Sequence, residues 1–171
     1  MVVTRRALLV LSAAAAMMAT AVIPAAGTGG SATATPVAPR VEAGLRADVS
    51  HHGHVSLWGD RLGVWLRSEN RGPADLGDAT VRLRFSEPFS APRGLPPGCL
   101  RGGSRALLCG TGALAADGQE RRTAFDLRLA GRPAEVVVRI DTVWNGGAVD
   151  RNPQNNVHEV LAPSTGDAYV F

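Results

Sequence analysis

The chain has 171 residues, of which 45% are hydrophobic and 19% are charged, which is enough for one ordinary domain with an apolar core. Its 20 Gly and 11 Pro residues predict many turns, but they stay below the share of roughly 25–30% that is typical of disordered chains. The formal net charge is +3, and the excess Arg residues lie within residues 1–40, so the rest of the chain is balanced. We therefore expect no nucleic-acid partner, because such a protein needs a basic stripe on its folded part.

The N-terminus has the layout of a secretory signal peptide. Arg5 and Arg6 precede an apolar run from Ala7 to Ile23, and small residues follow. The run is short and rich in Ala for a spanning helix, so cleavage is favoured over a membrane anchor. We expect the cut after Gly27, with Ala34 as a later alternative. The Arg pair also fits a twin-arginine signal, so the export route stays open, and the expected location is extracellular.

Residues 28–40 are small, polar and Pro-containing, which predicts a flexible linker before a folded domain at 41–171. In that domain apolar and polar residues alternate with the period of two that marks half-buried strands. Turn-forming residues separate the strands, and no stretch has a helical period. These features predict one immunoglobulin-like antiparallel β-sandwich of seven to eight strands, in an all-β fold. The strand segments are 41–49, 61–70, 78–85, 105–109, 122–130, 135–143 and 156–162.

Cys99 and Cys109 are the two cysteines of the chain. In an exported protein a disulfide between them is the default interpretation, and Gly102 and Gly103 would let the intervening chain reverse. Two free thiols or two metal ligands are the alternatives, but nine intervening residues are not a metal-binding spacing. We therefore predict a disulfide.

Four segments occur in an order that resembles a known family. They are "SENRGPADLGDATVRLRF", "LPPGC", "RALLCGTGALAADGQERRTAFDL" and "DRNPQNNVHEV", which together span about Arg67 to Ala162. This order resembles the bacterial Ig-like conserved repeat known as domain of unknown function eleven, which is related to the cell-adhesion-related (CARDB-like) domains. The resemblance implies an extracellular sandwich, often in stalks or envelope proteins, without shared catalytic residues. The single copy here departs from the family's role as a repeated spacer.

The segment "SHHGHVS" brings together His51, His52 and His54. Imidazole suits Zn²⁺, Cu²⁺ and Ni²⁺, and in an extended segment His52 and His54 would point the same way. His158 could add a further ligand, with Asp48 or Asp60. The competing interpretation, which we favour, is an exposed turn between the first two strands. We therefore predict no cofactor and keep an extracellular metal-binding protein as the alternative function.

The aromatic residues of the C-terminal tail suggest a contact surface. Tyr169 and Phe171 either add an edge strand to their own sheet or offer a strand to a partner by β-augmentation. Trp65 lies on the polar face of its predicted strand. A contact patch of Trp65, Tyr169 and Phe171 is therefore a candidate site for an extracellular or envelope protein.

The stretch Asp150–Asn156, "DRNPQNN", has the composition of a metal loop. Its few oxygen ligands fall short of the six to eight that Ca²⁺ takes, and no EF-hand spacing surrounds it. Pro153 restricts Asn152 to extended backbone, and the amides of Asn155 and Asn156 can bond neighbouring backbone groups. We predict that this stretch shapes the entry of the last strand.

No nucleophile elbow, zinc-protease motif or phosphate-binding loop is present in the sequence. The outline G-x-G-x-x-A at Gly110–Ala115 precedes a polar strand and no helix, so it does not predict a dinucleotide site. The sequence predicts a secreted non-catalytic module with a structural or binding role. An unrecognised hydrolase stays open, because the members of a catalytic triad can lie far apart in sequence.

Overall fold

The computed structural model describes residues 44–90 and 95–171. The predicted signal peptide at 1–27, the linker at 28–40 and the start of the domain at 41 lie outside these residues. The described chain forms strands and one 3-10 turn (Pro153–Asn156), with no helix long and apolar enough to cross a membrane. The strands are β1 (Arg46–Ala47), β2 (Val49–Trp58), β3 (Arg61–Asn70), β4 (Thr80–Phe85), β5 (Cys99–Arg101), β6 (Ala106–Gly110), β7 (Arg121–Arg128), β8 (Glu135–Trp144), β9 (Val149–Asp150), β10 (His158–Pro163) and β11 (Tyr169–Val170).

Two antiparallel sheets contain nine of these strands. The four-stranded sheet has the order β11-β2-β3-β7, and the five-stranded sheet has the order β10-β8-β4-β6-β5. The remaining strands, β1 and β9, form a short parallel pair. Eight strands have three or more residues, and the others have two each. The predicted all-β, immunoglobulin-like sandwich is therefore confirmed, and its two sheets contain nine strands where the sequence predicted seven to eight.

The core lies between the inner faces of the two sheets. Alternate residues of each long strand are buried there, because successive side chains of a strand point to opposite faces. Each fully buried Leu or Val contributes roughly 1.5–3 kcal/mol relative to an exposed side chain. The fully buried core residues include Val55, Leu57, Leu62, Val81, Leu83, Leu107, Val136, Val138 and Ile140.

The prediction of one strand over residues 41–49 is wrong for the part that is described. Leu45 is 59% exposed, whereas Ala47 and Val49 are fully buried. The chain here pairs in parallel with β9 and then changes partner, and β2 begins only at Val49. The break lies at Asp48, whose backbone amide donates to Asn70 Oδ1 at 3.1 Å.

The loop at Asp150–Asn156 connects the two ends of the domain. The Asp150 carboxylate accepts hydrogen bonds from the Val49 amide at 3.2 Å and from Asn156 Nδ2 at 3.0 Å. Asn155 Nδ2 donates to Asp48 Oδ1 at 2.8 Å. The loop thus fixes the start of β2 beside the entry to β10. The two amides bond carboxylates and not the neighbouring backbone groups that the sequence suggested, because the approach of Asp48 depends on the tertiary fold.

The predicted disulfide joins Cys99 of β5 to Cys109 of β6. The two residues lie directly opposite each other in the antiparallel pair, and both belong to the buried core. The bridge therefore secures β5, a three-residue edge strand with few backbone bonds of its own.

Reduction of this disulfide should lower the free energy of unfolding by about 2.7 kcal/mol, the chain-entropy value for a loop of about eleven residues. Urea unfolding with and without dithiothreitol measures the effect. The double variant Cys99→Ser/Cys109→Ser is the control, because reductant should leave its midpoint unchanged. An identical midpoint for oxidised and reduced wild type would contradict the prediction.

Candidate functional site

The three neighbouring histidines lie inside a paired strand. β2 pairs with β3 along its whole length, from Val49 opposite Asn70 to Trp58 opposite Arg61. The prediction of an exposed turn is therefore wrong, since Gly53 continues the strand instead of ending it. Strand alternation points His51 towards the core and His52 to the outer face.

His51 is a core residue with both ring nitrogens engaged. Its Nδ1 lies 3.0 Å from Ser68 Oγ and its Nε2 lies 2.7 Å from Thr142 Oγ1, and the residue is 0% exposed. Burial, and to a smaller extent the positive charges of His158 and His52, lower the pKa of His51 to about 3. The imidazole is therefore neutral at pH 7 and connects the two sheets by hydrogen bonds.

The three candidate metal ligands do not converge in the structure. His51 points inward, whereas His52 and His54 lie on the outer face of the same strand, as the alternation predicted. His158 approaches His52 with ring centroids 6.3 Å apart, and its Nε2 lies 3.2 Å from the Asn155 carbonyl oxygen. Among residues 44–90 and 95–171 no three His, Cys, Asp or Glu side chains are grouped as a metal site.

The aromatic tail pairs with its own sheet. Tyr169 lies opposite Val55 in the β11–β2 pair, and the Phe171 backbone exchanges two hydrogen bonds with Gly53. Tyr169 and Phe171 pack against the core. Trp65 lies on the other side of the sheet, so the predicted patch of Trp65, Tyr169 and Phe171 is not one surface.

The outer face of the four-stranded sheet carries a row of side chains that crosses all four strands. The strand register aligns Val170, His54, Trp65 and Ala124. The His54 and Trp65 rings are nearly parallel, with centroids 5.4 Å apart and planes 20° apart. Val170 is 77% exposed. This row presents apolar and aromatic surface on a rigid, fully paired backbone.

Two cations lie over the Trp65 ring. The guanidinium carbons of Arg67 and Arg122 are 5.5 and 5.8 Å from the ring centroid, within the range of cation–π attraction. Both guanidiniums also reach the Glu120 carboxylate, at 2.9 and 3.1 Å. Arg67 and Arg122, themselves fixed by Glu120, therefore hold the Trp65 ring in place.

A shallow groove of about 370 Å³ adjoins Trp65 on this face, lined by the next row of the sheet. That row consists of Ser56, Gly63 and Asp126, aligned across β2, β3 and β7. Gly63 forms the floor of the groove because it has no side chain. A Cβ at this position would lie 2.9 Å from Ser56 Oγ and 3.3 Å from Asp126 Oδ1, so these two polar groups converge over it.

Trp58 projects from the same sheet face, one row beyond the Ser56 row that lines the groove. Strand alternation places it on the outer face with His54 and Ser56, and it is 68% exposed. Trp58 lies four residues beyond His54, the partner of Trp65, which is about 13 Å along the strand direction. Its ring borders a second depression, of about 290 Å³, with Arg61 and Arg132. Two tryptophans thus lie on either side of a polar groove.

Comparison with known proteins assigns no family. No family model matches the chain, and no curated protein matches it. Two solved structures are similar to it: β-glucosidase 3B from Thermotoga neapolitana in complex with α-D-glucose and the same enzyme in complex with glycerol. In each case the identity is 16%, the TM-score is 0.43, and the match covers 73% of this chain. The match spans only 17% of the length of that enzyme.

The outer face of the five-stranded sheet is organised by ion pairs. Arg82 donates two hydrogen bonds to the Asp141 carboxylate, at 3.2 and 2.6 Å, and this contact raises the pKa of Arg82. Arg84 lies 3.5 Å from the same carboxylate, and Arg139 pairs with Glu159. These cross-strand pairs give a solvated, charged surface. Ion pairs occur on the outer face of the four-stranded sheet as well, where they accompany Trp58, Trp65 and the Ser56 hydroxyl.

Sequence reasoning found Trp65 but missed its partners in the groove. Trp65 was recognisable because it lies on the polar side of an alternating strand. Ser56, Gly63 and Asp126 come from three separate strands, and only the register brings them side by side. A Gly inside a well-formed strand was the one available signal, since it often marks a close approach to the backbone.

Proposed function

We propose that the protein is a secreted, non-catalytic immunoglobulin-like module that binds an extracellular or envelope component. The contact surface is the outer face of the four-stranded sheet. The observation that supports this proposal is the placement of Trp58 and Trp65 on one rigid sheet face, on either side of an open groove. Trp58 is 68% exposed and Trp65 is partly buried. Tryptophan combines a large apolar area with low conformational entropy, so it is an effective anchor in binding sites.

The proposed extracellular role is supported by two independent features. The N-terminal sequence has the charge and hydropathy pattern of an export signal. The disulfide between Cys99 and Cys109 is of the kind that persists in oxidising compartments. The resemblance to bacterial Ig-like repeats, given by the order of four sequence segments, is in keeping with the same location.

The proposal of a non-catalytic role is supported by the position of one serine–histidine pair. Ser68 Oγ lies 3.0 Å from His51 Nδ1, which is the distance expected of a nucleophile and its base. However, Ser68 is 2% exposed and His51 is 0% exposed, so no substrate reaches either group. The pair contributes to the core.

The test is co-sedimentation of the full chain with bacterial envelope preparations, using a Trp65→Ala variant. We expect the wild type to sediment with the envelopes and the variant to bind at least tenfold more weakly. Trp144→Ala is the control, since Trp144 is a tryptophan that is 50% exposed but belongs to the five-stranded sheet. Equal binding by wild type and Trp65→Ala, or none by wild type, would refute the proposed function.

A further inference from the structure

Building on the proposed function, we infer that the ligand is a glycan chain that lies across Trp65, the groove and Trp58. A pyranose ring has apolar C–H faces and a rim of hydroxyl groups. It therefore needs flat apolar surface and hydrogen-bonding groups side by side. The outer face of the four-stranded sheet offers both in neighbouring rows of residues. Trp58 provides an exposed flat ring, the partly buried Trp65 provides a second ring, and Ser56 and Asp126 in the row between them provide polar groups.

The groove is suited to hydroxyl groups. Asp126 carries two acceptor oxygens, and Ser56 can donate or accept. Arg61 Nη2 donates to Asp126 Oδ2 at 3.2 Å and brings further donors to the same place. The pair neutralises the carboxylate, and both side chains are more than 60% exposed. Each hydroxyl group on a sugar ring can use both a hydrogen-bond donor and an acceptor. Ser56, Asp126 and Arg61 together supply both kinds of group without a net charge.

The shape of the face favours a chain of sugars over a single sugar. The two tryptophans are about 13 Å apart along the strands, which is longer than one ring. The groove beside Trp65 has a volume of about 370 Å³, and the depression beside Trp58 has a volume of about 290 Å³. The two are adjacent, because Asp126 lines the groove and its ion-pair partner Arg61 borders the depression. Both depressions are open, so an internal segment of a polymer can bind there and no chain end has to enter.

The same observations disfavour a protein partner. Protein–protein interfaces are enriched in aromatic residues and Arg but depleted of Asp and Ser. Here the two tryptophans are separated by the Asp126–Arg61 ion pair and the Ser56 hydroxyl. A partner with a flat apolar surface would bury that exposed ion pair, which costs free energy unless it is matched by new bonds. A hydroxyl-rich ligand matches it directly.

The test is isothermal titration of the full chain with three soluble hexasaccharides: chitohexaose, cellohexaose and mannohexaose. We expect at least one to bind with a dissociation constant below about 1 mM. Gly63→Ala should weaken that binding at least fivefold, because the added methyl group fills the floor between Ser56 and Asp126. The nearest atom is a rotatable hydroxyl, so the variant should still fold, as circular dichroism would verify. Gly77→Ala is the matched control, with no atom within 4 Å of its added Cβ.

The envelope assay distinguishes failure of this inference from failure of the proposed function. Envelope binding is measured either with an excess of the hexasaccharide that bound in the titration, or after proteinase treatment, which removes proteins. Binding that depends on Trp65 should be lost with the competing hexasaccharide and retained after proteinase. The reverse pattern would identify a protein partner and overturn the glycan inference while the proposed function stands. Absence of binding to all three hexasaccharides would overturn it as well.

Discussion

Acidification from pH 7 to pH 3 should destabilise the protein through His51, with a slope that approaches about 1.4 kcal/mol per pH unit. Burial lowers the pKa of His51 from its ordinary 6.5 to about 3 in the folded protein. Between these values the unfolded chain binds a proton that the folded chain does not. The stabilisation is therefore present above pH 6.5 and is lost as the pH falls towards 3. Over this range the loss is a large part of the 5–15 kcal/mol that is typical of domains.

Urea unfolding at a series of pH values measures this dependence, and His51→Gln isolates it. The variant should be less stable than wild type at pH 7, because the Ser68 and Thr142 hydroxyls lose their common partner. The difference should shrink as the pH falls, since the variant has no imidazole to protonate. Carboxylates affect both proteins and cancel in the comparison. A constant difference across the range, or an NMR titration of the His51 ring near pH 6.5, would contradict the prediction.

Gly53→Ala should destabilise the protein by about 3 kcal/mol or more, the upper range for inserting a group where there is no space. A Cβ at Gly53 would lie 2.0 Å from the Trp65 carbonyl oxygen and 3.0 Å from Phe171 Cζ. The first of these is backbone of the paired strand, so β2 and β3 must separate to make room. The same glycine exchanges hydrogen bonds with Phe171, so the contact of the C-terminal strand is lost too.

The effect can be measured as a shift in the midpoint of urea unfolding at constant slope. Gly131→Ala is the matched control, because an added Cβ there has no atom within 4 Å. The control isolates the general effect of replacing Gly by Ala, which acts largely through the unfolded chain. Equal midpoints for Gly53→Ala and Gly131→Ala would show that β2 tolerates a side chain at this position.

The fold was predictable wherever a strand has one face in the core and one in water. In β3, Leu62, Val64 and Leu66 are buried, and in β8 Val136, Val138 and Ile140 are buried, as the alternation predicted. In these strands the alternation of apolar and polar residues follows directly from the burial of one face of the strand.

The prediction failed at β2, because it took polar residues to be exposed residues. "SHHGHVS" has the composition of a turn, yet His51 is buried. Its ring nitrogens are hydrogen-bonded to hydroxyl groups of residues 17 and 91 positions away. A single sequence does not show that Ser68 and Thr142 will form hydrogen bonds with the two nitrogens of the His51 ring. The groove was hidden for a similar reason, since its residues are related only by strand register.

The contacts that close the domain join residues far apart in the chain. Asp150 binds the amide of Val49 across 101 positions, and Asn155 binds Asp48 across 107. A growing chain can form the β2–β3 hairpin early, but it cannot secure the first strand until the last strands have been synthesised. Such distant contacts slow folding, because the loop must close before any bond is gained. The polypeptide should therefore complete its fold only after synthesis of nearly the whole domain, and truncations before residue 150 should leave the N-terminal edge open to proteases.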